Sequence, residues 1–157
     1  MQKISPFLWF DGKAEEAMNF YVSIFKNAKI GAVSRYGDTG PGPKGQVMTA
    51  SFQLEGQDFT ALNGGPMFAF TPAISLYVNC ESQDEVDRLW EKLSEGGAEQ
   101  PCGWLKDKFG VSWQIIPSIL PKLMTDKNPK KAQAAMQAML QMKKIDSKAL
   151  QEAYDQA

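Results

Sequence analysis

The stretch "CGWLKDKFGVSWQI", Cys102 to Ile115, sets a thiol, two indoles, two lysines, a carboxylate and an amide within fourteen residues. In "DKFGV" a glycine in fourth place suits a hairpin with the three-residue loop Lys108-Phe109-Gly110, Gly110 taking the left-handed conformation and Asp107 facing Val111. Counting outward with the strand period of two puts Lys106 opposite Ser112, Trp104 opposite Gln114 and Cys102 opposite Ile116 on one face. Leu105, Val111, Trp113 and Ile115 fall on the other, with Asp107 at its end. The apolar face is expected to pack under helices. The first face offers the area of an aromatic ring and a few polar groups that orient, which is the chemistry of a small-molecule pocket. The alternative for it is a solvated outer surface.

What that chemistry excludes is set by composition. The chain has no histidine, so it lacks the commonest general base, the commonest transition-metal ligand and any Ser/His or Cys/His nucleophile pair. Catalysis would fall to Lys106, to a carboxylate such as Asp107, to a tyrosine or to a bound cofactor. The two cysteines, Cys80 and Cys102, have no CxxC spacing and read as reduced thiols. With 17 basic and 18 acidic residues the net charge is −1, which gives no general pull toward nucleic acid or anionic membrane. No run is long enough to span a bilayer, and the apolar N-terminal run is too short for a secretion signal. A cytoplasmic location is expected.

Several elements must position these residues. "ISPFLWF" reads as a strand buried on both faces, followed by a helix with Ala14, Ala17, Met18, Tyr21 and Phe25 on one side. Three β-type runs follow, "KIGAVSRY", "QVMTASFQLEG" and "QDFTALN", with a turn at Glu55-Gly56. The order restarts with the strand "AISLYVNC" and a helix capped by Ser82 and Glu85 and stopped at Gly96-Gly97. The two halves align as a duplicated βαβββ unit of about 70 residues, the second copy shorter by a strand. Phe7, Trp9, Phe10, Phe52, Phe59, Phe68 and Phe70 read as mostly core.

"YGDTGPGPKGQ" has prolines where a phosphate loop needs N–H groups and leads into a strand, so it reads as a mobile loop offering Arg35, Tyr36 and Lys44 to a substrate. After Pro117 the chain turns to Lys, Ala, Met and Gln. A helix starting at Pro129 shows an apolar stripe of Ala132, Ala135, Met136, Met139 and Leu140, and a last helix is capped at Asp146 or Ser147. The scattered lysines there read as solvated helix faces.

The tandem unit resembles the vicinal-oxygen-chelate (glyoxalase and bleomycin-resistance) superfamily. "FLWFDGKAEEAMNFYVSIF", "ALNGGP", "NCESQDEVDRLW", "CGWLKDKFGVSWQI" and "AMLQMKKID" narrow the likeness to its PhnB-like, demethylubiquinone-methyltransferase-like branch. The resemblance implies an α+β fold of paired βαβββ modules, about 1–66 and 73–117, forming a U-shaped sheet around a cleft within a domain of residues 1–120. Residues 121–157 form a helical extension, and a homodimer is expected. The metal positions of the superfamily would fall on Pro6, a residue within 60–63, Ala73 and Gln114, none of them His, Asp or Glu. Met67 stands where relatives often carry histidine. The methyltransferase label finds no Gly-rich loop after a strand to support it.

The expectation is therefore a small-molecule binder with no metal and no cofactor. Trp104, Gln114, Lys106, Ser112, Cys102, Asn63 and Met67 are its candidate ligand contacts, no catalytic residue is assigned, and neither nucleic acid nor membrane is a partner. The alternatives are an enzyme of this superfamily that moves a proton without histidine or metal, and an interaction module that docks through Met136, Met139 and Met142.

Overall fold

The computed structural model describes residues 2–157, and the chain divides into two compact units between Phe70 and Thr71. Each unit is built on one four-stranded mixed sheet, and the same strand arrangement appears twice.

The first unit runs β1 (Phe7–Phe10), α1 (Ala14–Ile24), β2 (Ala28–Arg35), β3 (Val47–Leu54) and β4 (Gln57–Asn63), in the sheet order β1-β4-β3-β2. β1 is parallel to β4 and the other pairs are antiparallel. Alternation makes the core: Ala50, Phe52, Leu54, Phe59 and Ala61 are buried, as are Ala14, Ala17, Met18 and Tyr21 on α1. Phe52 and Phe59 stack at 5.4 Å. Glu55 and Gly56 both have positive φ, as the tight turn between β3 and β4 requires.

One expectation fails here. β1 is an edge strand and not one buried on both faces, with Ile4 and Phe7 exposed and only Phe10 fully covered. Phe68 is exposed as well, although it meets Trp9 edge-on at 4.9 Å.

The second unit runs β5 (Leu76–Cys80), α2 (Gln83–Ser94), β6 (Ala98–Glu99), β7 (Trp104–Lys106) and β8 (Ser112–Pro117), ordered β5-β8-β7-β6. The second copy keeps every strand, contrary to the sequence reading. What looked like a missing strand is β6 cut to two residues. Ser82 accepts the Glu85 N–H at 3.2 Å and caps α2. Val86, Leu89, Trp90 and Leu93 form the helix's buried side, and Leu105, Trp113 and Ile115 are the sheet's buried counterparts.

Three helices close this unit: α3 (Ile119–Met124), α4 (Pro129–Leu140) and α5 (Ser147–Asp155). Asn128 caps α4 and Asp146 caps α5. Their core gathers Leu120, Leu123, Ala135, Ile145 and Leu150 around Ile116 of β8, with Ala138, Met139 and Met142 packed against it. The covered side of α4 runs through Ala135, Ala138 and Met139 and is thus turned away from the Met136 and Leu140 edge of the expected stripe. Met136 and Leu140 stay exposed. α3 escaped the sequence reading because Pro121 falls in its first turn, where proline is tolerated.

Candidate functional site

The hairpin forms in the expected register. The Asp107 N–H donates to the Val111 carbonyl at 2.9 Å, and the Gly110 N–H donates back to the Asp107 carbonyl at 3.0 Å, with Gly110 at φ +92°. Trp104 then faces Gln114, Leu105 faces Trp113, and Lys106 faces Ser112. The Asp107 carboxylate is buried inside its own turn. It accepts from the N–H groups of Phe109 and Val111 and from the Trp113 indole at 2.9 to 3.0 Å. That geometry makes Asp107 a structural acceptor and removes it as a free acid or base.

β5 extends the polar face across a third strand. Tyr77 pairs with Gln114, so Tyr77, Gln114 and Trp104 form one row across β5, β8 and β7. Asn79 pairs with Ile116 one step along. Ser75, just before β5, receives the Gln114 side-chain N–H at 3.0 Å. Ser75, Tyr77 and Asn79 were missed by the sequence reading. Their signal was the plain alternation in "SLYVN", whose apolar partners Leu76 and Val78 point the other way. The atoms that cover part of the Tyr77 ring, and next Cys80, push its phenol above the ordinary value. It therefore stays protonated and able to donate at neutral pH.

Ser112 is 1% exposed, and its hydroxyl has no hydrogen-bond partner among the described residues. Buried polar groups nearly always have one. Lys106 on the facing strand is half-buried.

Cys102 does not continue this face, contrary to the expected pairing with Ile116. It sits in a single helical turn, Pro101–Gly103, at φ +64°, before β7 begins. Its N–H donates to the Met142 carbonyl and that of Gly103 to the Lys143 carbonyl, both at 2.8 Å. Ile116, on the Gln114 side of β8, is buried in the core of the tail helices. The tail thus covers the end of the polar face. Gln83 of α2 fastens it from behind, donating to the Ile145 carbonyl at 2.9 Å and accepting from the Ser147 N–H at 2.8 Å.

The structure brings Trp104, Lys106, Ser112 and Gln114 onto one sheet face. Asn63 and Met67 belong to the first unit. The Asn63 amide is committed to the fold: its oxygen accepts the Ala14 N–H at 2.9 Å and its nitrogen donates to the Val47 carbonyl at 2.9 Å. Met67 is 77% exposed. Tyr36, expected in a mobile loop, is 5% exposed and donates to the Asn63 carbonyl at 2.6 Å, while Gly40 and Gly42 of the loop lie against its ring. Lys44 pairs with Asp38, and Arg35 with Glu15. The first sheet also carries a recess of about 330 Å³ lined by Lys29, Ser51, Asp58 and Thr60 among others. There the Gln53 amide, and next the Gln2 N–H, hold Asp58 below the usual carboxylate range.

A divalent metal, which the superfamily resemblance implies, does not fit these residues. Pro6 and Ala73 have no side-chain donor, the Asn63 amide is committed to backbone groups, and Gln114 holds Ser75. Among the described residues no three His, Cys, Asp or Glu side chains gather as a ligand set, and neutral amides alone bind such ions weakly.

The 3-demethylubiquinone-9 3-methyltransferase family model matches residues 2–116. Among solved structures, the chain is similar to the PhnB protein of Bacillus cereus, at 47% identity and a TM-score of 0.69, over 74% of this chain and 99% of that one. Protein PA1353 of Pseudomonas aeruginosa shows 24% identity and a TM-score of 0.63, over 74% of this chain and 98% of the other. The fosfomycin resistance protein FosX of Listeria monocytogenes, solved with Mn(II) and sulfate, shows 18% identity and a TM-score of 0.53, over 72% of this chain and 90% of its own. These last two are likenesses of fold. No curated protein matches. The three tail helices lie beyond the family match.

Proposed function

Because the chain belongs to the 3-demethylubiquinone-9 3-methyltransferase, or PhnB-like, family within the vicinal-oxygen-chelate fold, we propose that it binds a small organic molecule without a metal, on the face built from β5, β8 and β7. The row Tyr77, Gln114 and Trp104 carries this reading. Two amphipathic rings flank an amide, with hydroxyls on either side, and the tail closes one end. Methyl transfer has less support. The turns that lead into α1 and α2, Asp11-Gly12-Lys13 and Glu81-Ser82, are not the Gly-rich loops that hold a nucleotide-like donor.

The test is a thermal-shift survey over metabolites and antibiotics. A ligand should raise the melting temperature of the wild type, and Trp104→Ala should abolish the shift while leaving the ligand-free transition nearly in place. A survey in which no compound shifts the wild type, or in which Trp104→Ala responds unchanged, would sink the proposal. Elemental analysis after dialysis tests the metal-free part: near-stoichiometric metal resisting a mild chelator overturns it.

The reading extends to a cytoplasmic homodimer with no nucleic-acid or membrane partner. The superfamily resemblance, the two free cysteines and the near-zero charge support it, and light scattering that returns a monomer at micromolar concentration would reject the dimer. An interaction module has less support, since Met139 and Met142 pack against the tail's own core and only Met136 of the three stays exposed.

A further inference from the structure

We propose that the ligand of this face is an organic anion, with its charged group between the Lys106 ammonium and the Ser112 hydroxyl and its flat apolar part on Trp104 and Tyr77. The inference rests on the binding reading above and adds the class of ligand.

Lys106 and Ser112 are directly opposed on β7 and β8, which places their Cβ atoms about 5 Å apart on the same face. The Ser112 hydroxyl is closed to solvent without ligand, so one group meets both when the side chains lying over it move aside. Lys106 makes no ion pair among the described residues, and its face offers no acid: the neighbours are Ser75, Tyr77, Asn79, Ser112, Gln114, Trp104 and, across β6, Ala98. The nearby carboxylates are engaged elsewhere, Asp107 inside its turn and Glu99 on the Trp90 indole. Lys106 is half-buried as a residue and has no counter-charge on its face, so an anion that excludes water there meets it in a medium that screens less than open water.

The Ser112 hydroxyl points to the same chemistry. A buried hydroxyl with no partner opposes folding, and an oxyanion is an acceptor that would satisfy it. A cationic ligand would be repelled by Lys106, and a neutral apolar one would leave both groups unmatched. The two rings suit a planar body, since stacking on Trp and Tyr adds contact at little conformational cost.

Calorimetric titration of 1-naphthoate, 1-naphthylphosphonate and 1-naphthamide into the full chain decides it, the three sharing one ring system and differing in charge. The two anions distinguish a carboxylate from a phosphonate preference. At least one should bind about tenfold or more tighter than the amide. Lys106→Met should bring that anion down to about the level of the amide, a far larger loss than the amide itself suffers from the same change. Equal binding of all three, or an anion indifferent to Lys106→Met, overturns the anion class but leaves the binding surface standing. Binding by none of the three into the low millimolar range also overturns it, and the thermal-shift survey then judges the surface separately.

Discussion

Trp113 donates its indole N–H to the buried carboxylate of Asp107 at 2.9 Å, across the mouth of the turn that joins β7 to β8. The other carboxylate oxygen takes the N–H groups of Phe109 and Val111. One side chain therefore fixes the loop, the strand register and the ring that anchors the sheet beneath α2. The polar face is set by this arrangement although neither residue belongs to it.

Asp107→Ala should accordingly cost about 3 kcal/mol or more in urea unfolding, because it leaves buried N–H groups without acceptors. Asp107→Asn, which can still accept the two backbone bonds, should cost less. An alanine variant within about 0.5 kcal/mol of wild type would mean that water or another group replaces the carboxylate.

The two indoles of the hairpin should separate cleanly. Trp113 is 2% exposed on the helix side, so Trp113→Ala should destabilise by about 3 to 5 kcal/mol. Trp104 is only half-buried on the polar side, so its alanine variant should lose ligand response and keep most of its stability. The reverse pattern in paired unfolding and binding measurements would mean that the faces are assigned the wrong way round.

Much of this was legible because hairpin register is local. The spacing of Asp107 and Gly110, with period-two alternation, was enough to pair Trp104 with Gln114 and Lys106 with Ser112. Cys102 broke the extrapolation because a left-handed turn precedes β7, and the tail that holds it there lies about forty residues on in the chain. Asn63 misled for a similar reason. Its amide caps the start of α1 from another strand, and no local pattern distinguishes that from a ligand contact. Tyr77 and Asn79 needed only the parallel register of β5 on β8, which strand order decides and sequence spacing does not.

Cys80 supplies a pH prediction. Its thiol is fully buried, and burial first, then the Glu85 charge, push it from 9.0 up to about 12. Between those values the unfolded chain loses a proton that the folded chain keeps. The contribution is fully present below about pH 9 and is lost as pH rises toward 12. Cys80→Ala should flatten that part of the alkaline stability profile, and an unchanged slope would count against the burial argument. In the native protein at pH 8, a thiol reagent should label Cys102 and spare Cys80.

Gln83 should govern the tail. Its amide links α2 to both sides of the α5 start, beside the ion pair of Asp87 with Lys144, so Gln83→Ala should loosen that junction by about 1 to 2 kcal/mol. Hydrogen exchange at the Ser147 amide should accelerate by about tenfold, with α2 itself little affected. Exchange unchanged at Ser147 would show that the helix core around Ile145 and Leu150 holds the tail without this strut.

Ser112→Ala reverses the usual expectation for a buried substitution. Removing a side-chain group normally destabilises, either by opening a cavity or by stranding a partner. Here the hydroxyl has no partner to strand, and the void left by one oxygen is small. Its burial without a hydrogen bond carries a desolvation cost that alanine lacks, so the ligand-free variant should gain up to about 1 kcal/mol. The same change should weaken 1-naphthoate or 1-naphthylphosphonate, because the bound oxyanion loses a donor. Stability and affinity should therefore move in opposite directions, an outcome that simple damage to the fold does not produce. Urea unfolding of the ligand-free variant gives the first reading and calorimetric titration the second. A loss of more than about 1 kcal/mol without ligand would mean that the hydroxyl is satisfied in the folded protein, and Ser112 would then be part of the scaffold and not of the site.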